Sequence, residues 1–249
     1  MDDESADRSF TEPEAGPTWR QRAQLGALEA VLDPADTRGR KNRLIHRVHT
    51  RALNRTAGDV SGAIVLDFGC GTGRLSDWLN RRGANVEGVD ATAEMVEVAE
   101  VNVPGVHFQA IGGPALPFAD RHFDLVITAY VLQYYVQDMR IMSELVRVLK
   151  LGGEFIAIEQ IAEDDALGRA GSVAAYEGMF REAGLRVIAN STIRLGDSRI
   201  VALAERLPVL ARLPMVPWLV TMEARSRERE PLTNGRYADA VFYATKAQA

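Results

Sequence analysis

One cysteine, Cys70, in 249 residues excludes an internal disulfide and any thiolate cluster for zinc. No apolar run approaches the ~20 residues that a membrane-spanning helix needs, so no membrane span is expected. The opening M-D-D-E-S-A-D is acidic where a secretory leader is basic and then apolar; a cytoplasmic protein is expected. An excess of positive charge is missing too. With a formal net charge of -5 the chain does not draw a nucleic acid backbone in bulk, and no DNA partner is expected. His46 and His49 lack a third ligand at a recognised spacing, so no metal is expected.

What is present suffices for a full core: 47% of the residues are apolar, and one domain is the default at this length. Residues 1–17 are acidic, poor in large apolar groups and interrupted by Pro13 and Pro17, the composition of a disordered tail. Residues 18–60 read as an N-terminal helical cap, with helices over 18–32 and 40–56. From 61 to 249 short apolar runs alternate with helical patterns. Strands are expected at 63–68, 86–90, 106–110, 123–128 and 155–159, and helices at 74–82, 93–100 and 139–149. Gly152 and Gly153 read as a helix stop. A helix at 172–183, an edge strand at 185–195 and a last strand at 239–245 complete the series. This order argues for a largely parallel sheet covered on both faces. The segment 200–231, broken by Pro208, Pro214 and Pro217, is longer than a crossover needs. It is expected to form a lid or a partner surface, such as a homodimer contact.

The chain is organised around V-L-D-F-G-C-G-T-G-R-L-S, residues 65–76. An apolar strand ends in a carboxylate, Asp67; Gly69, Gly71 and Gly73 follow, and a helix opens behind them. Glycines there let the backbone turn tightly and approach a ligand, and the helix start offers free N–H groups. Strand, glycine turn and helix form a nucleotide-type pocket in an α/β sheet. Asp90 ends the next apolar run, which places both carboxylates at the carboxyl edge of neighbouring strands.

Across residues 61–159 the chain resembles the class I methyltransferases that use S-adenosyl-L-methionine. The resemblance rests on V-L-D-F-G-C-G-T-G, V-E-G-V-D-A-T, L-P-F-A-D-R-H-F-D-L-V, V-L-Q-Y-Y and R-V-L-K-L-G-G in that order. It implies a Rossmann-like, mostly parallel seven-stranded sheet with helices on both faces. By position, Asp67 and the turn Gly69, Cys70, Gly71, Gly73 would hold the methionine part of the cofactor. Asp90, followed by Ala91, would accept from the ribose hydroxyls. Met95, Ala110 and Ile111 would border the adenine, and Thr128 and Tyr130 would sit where cofactor meets substrate. Gly112 and Gly113 replace the carboxylate that relatives commonly aim at the adenine amino group, and Leu151 replaces a usual proline.

For catalysis, His46 and His49 lie three apart on one helix and can share a face; either could serve as a general base. The bland reading is a basic helix surface, since arginines surround them. Glu159, ending the fifth strand, could take a proton from an amine or simply cap the next segment. Of Tyr130, Gln133, Tyr134 and Tyr135, at least one is expected to line the acceptor cavity, with the rest packing. The expected activity is methyl transfer to an oxygen or nitrogen of a small molecule. T-A-Y-V follows the fourth strand where an N-P-P-Y type tetrad would mark enzymes that methylate amino groups of DNA, glutamine and some RNA. Three alternatives remain: an RNA or protein methyltransferase docking through the arginine-rich 38–55 helix, a non-catalytic partner subunit with the same fold, and an NAD(P)-dependent oxidoreductase.

Overall fold

The computed structural model describes residues 19–135, 138–163, 171–228, 231–233 and 236–248; the tail expected at 1–17 lies outside them. Strands β1 (Ile64–Phe68), β2 (Asn85–Asp90), β3 (His107–Ala110), β4 (Phe123–Ala129) and β5 (Leu149–Ile161) run parallel. Strand β6 (Leu185–Leu195) forms one edge, and β7 (Ala238–Lys246) enters antiparallel between it and β5. The order across the sheet is β3-β2-β1-β4-β5-β7-β6. This is the mostly parallel seven-stranded sheet that the sequence implies.

Strand periodicity divides the core into two layers. Leu66, Val126 and Ala157 turn to one face, with α5 (Met139–Val148) and α6 (Val173–Glu182). Val65, Ile127 and Ile156 turn to the other, where α2 (Arg40–Thr56) and α3 (Arg74–Asn80) supply Leu44, Val48, Leu75 and Trp78. Both faces being covered explains why these strands read as unbroken apolar runs. Truncating fully buried Ile127 to alanine is expected to cost about 2–5 kcal/mol, the transfer term plus the cavity left behind. Helix α4 (Ala93–Asn102) follows β2 and packs on β3. Asp138 and Ser172 cap α5 and α6 through their side chains, accepting from the N–H groups of Arg140 and Ala175.

The late segment folds as α7 (Arg199–Arg206), α8 (Pro208–Arg212) and α9 (Val216–Ser226). Pro208 opens the second of these, since it cannot continue the first. The three stack on α2, and α9 also packs on β6. Val201, Ala204, Val216 and Val220 join the α2–α3 core layer. Arg40 and Arg47 donate to the carbonyls of Glu205 and Leu213 at 3.3 and 2.8 Å, so α2 and this segment form one body. Among the described residues no helix is long and apolar enough to cross a membrane.

Two elements differ from expectation. Instead of one helix over 18–32, the chain makes α1 (Trp19–Arg22) and a tight turn, Ala23–Leu25, and then bends at Gly26. Its apolar residues do not share one buried face, and Leu25 is exposed. Gly152 and Gly153 do not end a helix. Helix α5 stops at Val148, and the glycines lie inside β5 at a register shift, where Phe123 pairs Leu149 and Leu125 pairs Glu154. A bulge absorbs the extra residues.

Candidate active site

The turn after β1 is fastened to β2. Gly69 and Cys70 donate their N–H groups to the Val89 carbonyl at 2.8 and 2.9 Å. Gly71 N–H then donates to Oδ2 of Asp90 at 2.8 Å, and Thr92 N–H donates to Oδ1 at 2.9 Å. Asp90 is half-buried, and its donors, backbone N–H groups and the Thr92 hydroxyl, are all neutral. Burial raises its pKa against the pull of those N–H groups. Asp67 lies beneath the turn, fully buried, and accepts the Ser76 hydroxyl at 2.6 Å. Burial pushes its pKa up to about 6 despite Ser76 and the nearby Arg74.

Side chains press onto the turn from outside. A Cβ added at Gly69 would collide with Val131, and one at Gly71 would lie 2.6 Å from Val31 Cγ1; only glycine allows this approach. The Thr72 hydroxyl donates to the Ala27 carbonyl. Met95, expected beside an adenine, is buried under Ala23 and Ala30, and Trp19 meets Tyr134 edge-on at 6.1 Å. Residues 19–33 therefore cover the turn and the start of α4. Ala91 is half-buried, Ala110 exposed and Ile111 buried. The Cys70 thiol is buried, which pushes its pKa up and makes it inert. Thr128 is fully buried, and its hydroxyl has no hydrogen-bond partner.

A second constellation lies beside the first. Tyr130, just past β4, has φ 63°, a conformation costly for a side chain of its size. Its N–H donates to the Ile158 carbonyl at 2.8 Å. Its hydroxyl lies 3.1 Å from Nε2 of His49, and the same nitrogen is 3.3 Å from Oδ2 of Asp239. Arg194 grips Asp239 with two N–H groups at 2.5 and 3.0 Å. Arg74, opening α3, approaches Nδ1 of His46 and of His49 at 3.4 and 3.5 Å. A guanidinium can only donate, so both Nδ1 atoms are assigned as acceptors and Nε2 of His49 as the protonated nitrogen.

The electrostatics follow from burial and charge. Burial, Arg74 and the neighbouring His49 lower the His46 pKa to about 3. Burial takes His49 down to about 4, with Arg74 adding to the shift and Asp239 opposing it. Burial alone would raise Asp239, but Arg194 and His49 outweigh it and hold the carboxyl below the usual range. Both histidines are neutral at pH 7, and their Nδ1 lone pairs face a cation. The general-base role expected of them does not suit this geometry. Glu159 stands apart. Fully buried, it accepts the N–H groups of Val131 and Leu132 on Oε1 at 3.2 and 3.0 Å, and Oε2 has no partner. Burial raises its pKa to about 8, so it too is a poor base at pH 7.

The structure thus brings His46, His49 and Tyr130 together and adds three residues that local patterns do not point to: Arg74, Arg194 and Asp239. Arg194 and Asp239 face each other across β6 and β7. Each strand carries a second charge, Arg186 in β6 and Lys246 in β7, so charge within a strand did not single out this pair.

The glycine cradle and the half-buried, neutrally held carboxylate of Asp90 beside it fit a ribose-bearing cofactor. Residues 66–157 match a protein family described as "Methyltransferase domain". An uncharacterized methyltransferase of Bacillus subtilis (strain 168) is 36% identical over 106 residues, 41% of this chain and 42% of that protein. A demethylmenaquinone methyltransferase of Renibacterium salmoninarum is 32% identical over 122 residues, 47% of this chain and 52% of that protein. The chain spans about half the length of the curated relatives it matches. In fold it is similar to a geranyl diphosphate methyltransferase solved with S-adenosylmethionine, at TM-score 0.62 and 17% identity over 90% of this chain and 97% of that one. From its first parallel strand to its fifth, the chain carries a class I S-adenosylmethionine-dependent methyltransferase domain.

Proposed function

We propose that the protein transfers a methyl group from S-adenosylmethionine to an oxygen or nitrogen of a small-molecule acceptor. The observation that carries this reading is Asp90, a half-buried carboxylate held only by neutral donors beside the glycine turn. When bound, the cofactor supplies a sulfonium methyl that a nucleophile displaces in line, leaving a neutral thioether. Asp90 would accept from the ribose hydroxyls, and the Gly69–Gly71 turn would lie against the methionine portion. Ala91, Met95, Ala110 and Ile111 would flank the adenine. Residues 19–33 would exclude water, while Thr128 and Tyr130 face the acceptor.

Within this constellation His46, His49 and Glu159 are all weak as bases at pH 7. The chain's contribution is then mainly orientation, worth up to about 7–11 kcal/mol for well-aligned partners. An acceptor that binds as a neutral amine, or as an already ionised oxygen, needs no proton removed by the protein. Demethylmenaquinone and geranyl diphosphate, named for two of the similar proteins, are small molecules, which favours that class. Docking of RNA or protein along α2 is less favoured, because Arg40 and Arg47 already bind carbonyls of the late segment.

Titration calorimetry with S-adenosylhomocysteine tests the reading. Wild-type protein should bind it, and Asp90→Ala should bind on the order of 10–100-fold more weakly, the loss of one or two charge-assisted hydrogen bonds. No heat from the wild type, or equal affinity in both proteins, would put the cofactor elsewhere.

A further inference from the structure

Between α2, α9 and the β6–β7 pair lies a cleft with an inner volume of about 70 Å³. Among the described residues its lining contains three guanidinium groups, Arg51, Arg55 and Arg225, and no carboxylate. Arg51 and Arg55 stand one turn apart on α2 and share a face; α9 brings Arg225 up to them. Among the described residues Arg225 reaches the Ser191 hydroxyl, at a long 3.5 Å. The Nε of Arg51 is buried, with no hydrogen-bond partner among the described residues.

Several arginines elsewhere meet acids, Arg194 with Asp239, Arg147 with Glu144 and Asp120, Arg181 with Glu177 and Arg227 with Asp197, and others bond carbonyls, as Arg40 and Arg47 do. Acidic residues outnumber basic ones by 34 to 29, yet none is among the described residues that line this cleft. The mutual repulsion of the three arginines and the orphan Nε call for an anion from outside. The hydroxyls of Thr56 and Thr221 are spent on the carbonyls of Ala52 and Pro217, both at 3.0 Å. Donors to such an anion therefore come from the arginines alone. The floor, Ala52, Ile193 and Val241, is apolar.

We propose that this cleft binds a phosphate group, free or esterified to a small molecule, between Arg51, Arg55 and Arg225. The planar guanidinium fork matches two oxygens of a tetrahedral oxyanion. The inner volume of about 70 Å³ is several times the ~10–15 Å³ that one ordered water needs. That is the scale of a single phosphate and not of a nucleotide. An ester's remainder would lie at the mouth, where Arg55 and Arg225 are exposed. The cleft shares no lining residue with the glycine turn or with the Asp239 network, and the proposal does not depend on methyl transfer.

The test is calorimetry on the full chain at fixed ionic strength, titrating inorganic phosphate and, separately, glycerol 3-phosphate. Wild type and Asp90→Ala should bind equally, with or without S-adenosylhomocysteine, which keeps this site distinct from the cofactor's. Arg225→Gln should weaken binding about tenfold, and Arg51→Gln with Arg225→Gln should abolish it. Equal melting temperatures for wild type and Arg225→Gln, an exposed position, show that the fold is retained. Similar affinity for both probes points to free phosphate, and tighter binding of the ester points to a phosphorylated metabolite. Absence of heat in the wild type, or undiminished heat in the double variant, overturns the proposal.

Discussion

Asp90 and Asp239 stand at the same edge of one sheet and are used in opposite ways. Asp90 ends β2 and is held by N–H groups of Gly71 and Thr92, close to it in sequence. Asp239 begins β7 and is held by Arg194 on β6 and His49 on α2. Neutral donors fix the first carboxylate without neutralising it, so its charge is left uncompensated beside the glycine turn. A guanidinium neutralises the second and occupies both its oxygens. Burial accordingly raises the pKa of Asp90, whereas Arg194 and His49 overcome burial and lower that of Asp239. One is arranged to receive a ligand, and the other ties α2, β6 and β7 together beneath Tyr130.

The sharpest way to break this contrast is Asp239→Asn, which leaves the buried guanidinium of Arg194 without a counter-charge. Removing one partner of such a pair costs about 3–5 kcal/mol, roughly 10 °C in melting temperature for a chain of this size. A loss below about 1 kcal/mol, the value of an exposed ion pair, would remove the distinction from Asp90. Asp239→Leu combined with Arg194→Met should recover most of the stability, because no buried charge is then left unpaired.

Acid acts on the same network. His49 titrates at about 4 in the fold, against an ordinary value near 6.5. A depressed folded value means stability that is present above pH 6.5 and lost as the pH falls through 4. The His49 share is roughly 2–3 kcal/mol. Between pH 7 and pH 4 in denaturant melts the wild type should lose about that much stability relative to His49→Gln, because Glu159 and Asp67, which shift the other way, are common to both proteins. An equal loss in both would assign the acid sensitivity to other groups. On the Asp90 side the expected change is in affinity. Asp90→Ala should weaken S-adenosylhomocysteine binding on the order of 10–100-fold, with a smaller loss of stability than Asp239→Asn.

The Asp90 side was legible in the sequence because its determinants are local. A strand ending in Asp67, glycines at 69, 71 and 73, and a second strand ending at Asp90 are fixed by short-range pattern. Helix 40–56 and strand 185–195 are found at the bounds their patterns give. The Asp239 side was not legible, since its members come from α2, α3, β4, β6 and β7 and meet only through tertiary packing. His46 and His49 were singled out by their spacing, yet the spacing carries no sign of Arg74, which decides their protonation. Gly152 and Gly153 were misread because a helix stop and a β-bulge both use glycine with positive φ. The cover over the turn, residues 19–33, has neither period strongly enough to be assigned.

Glu159 links the two sides, and the effect expected from it is the smallest. Its Oε1 fixes the N–H groups of Val131 and Leu132, which holds Val131 against Gly69 on the cofactor side and Tyr130 against His49 on the other. Its folded pKa of about 8 lies above the ordinary 4.5, so folding takes up a proton between those values. The stability this contributes is complete below pH 4.5 and is lost as the pH rises to 8. Asp67, at about 6, contributes in the same direction and is half ionised at pH 6, so the Glu159 share across pH 6–8 is isolated by comparison with a Glu159 variant. Glu159→Gln keeps an acceptor for both N–H groups and has no charge to bury. Across pH 6–8 the wild type should therefore lose on the order of 1–2 kcal/mol relative to the variant, read as diverging melting temperatures. Parallel curves would mean that Glu159 is already ionised at pH 6 and that a cation reaches Oε2; the carboxylate would then belong with Asp239, as a paired charge, and not with Asp90.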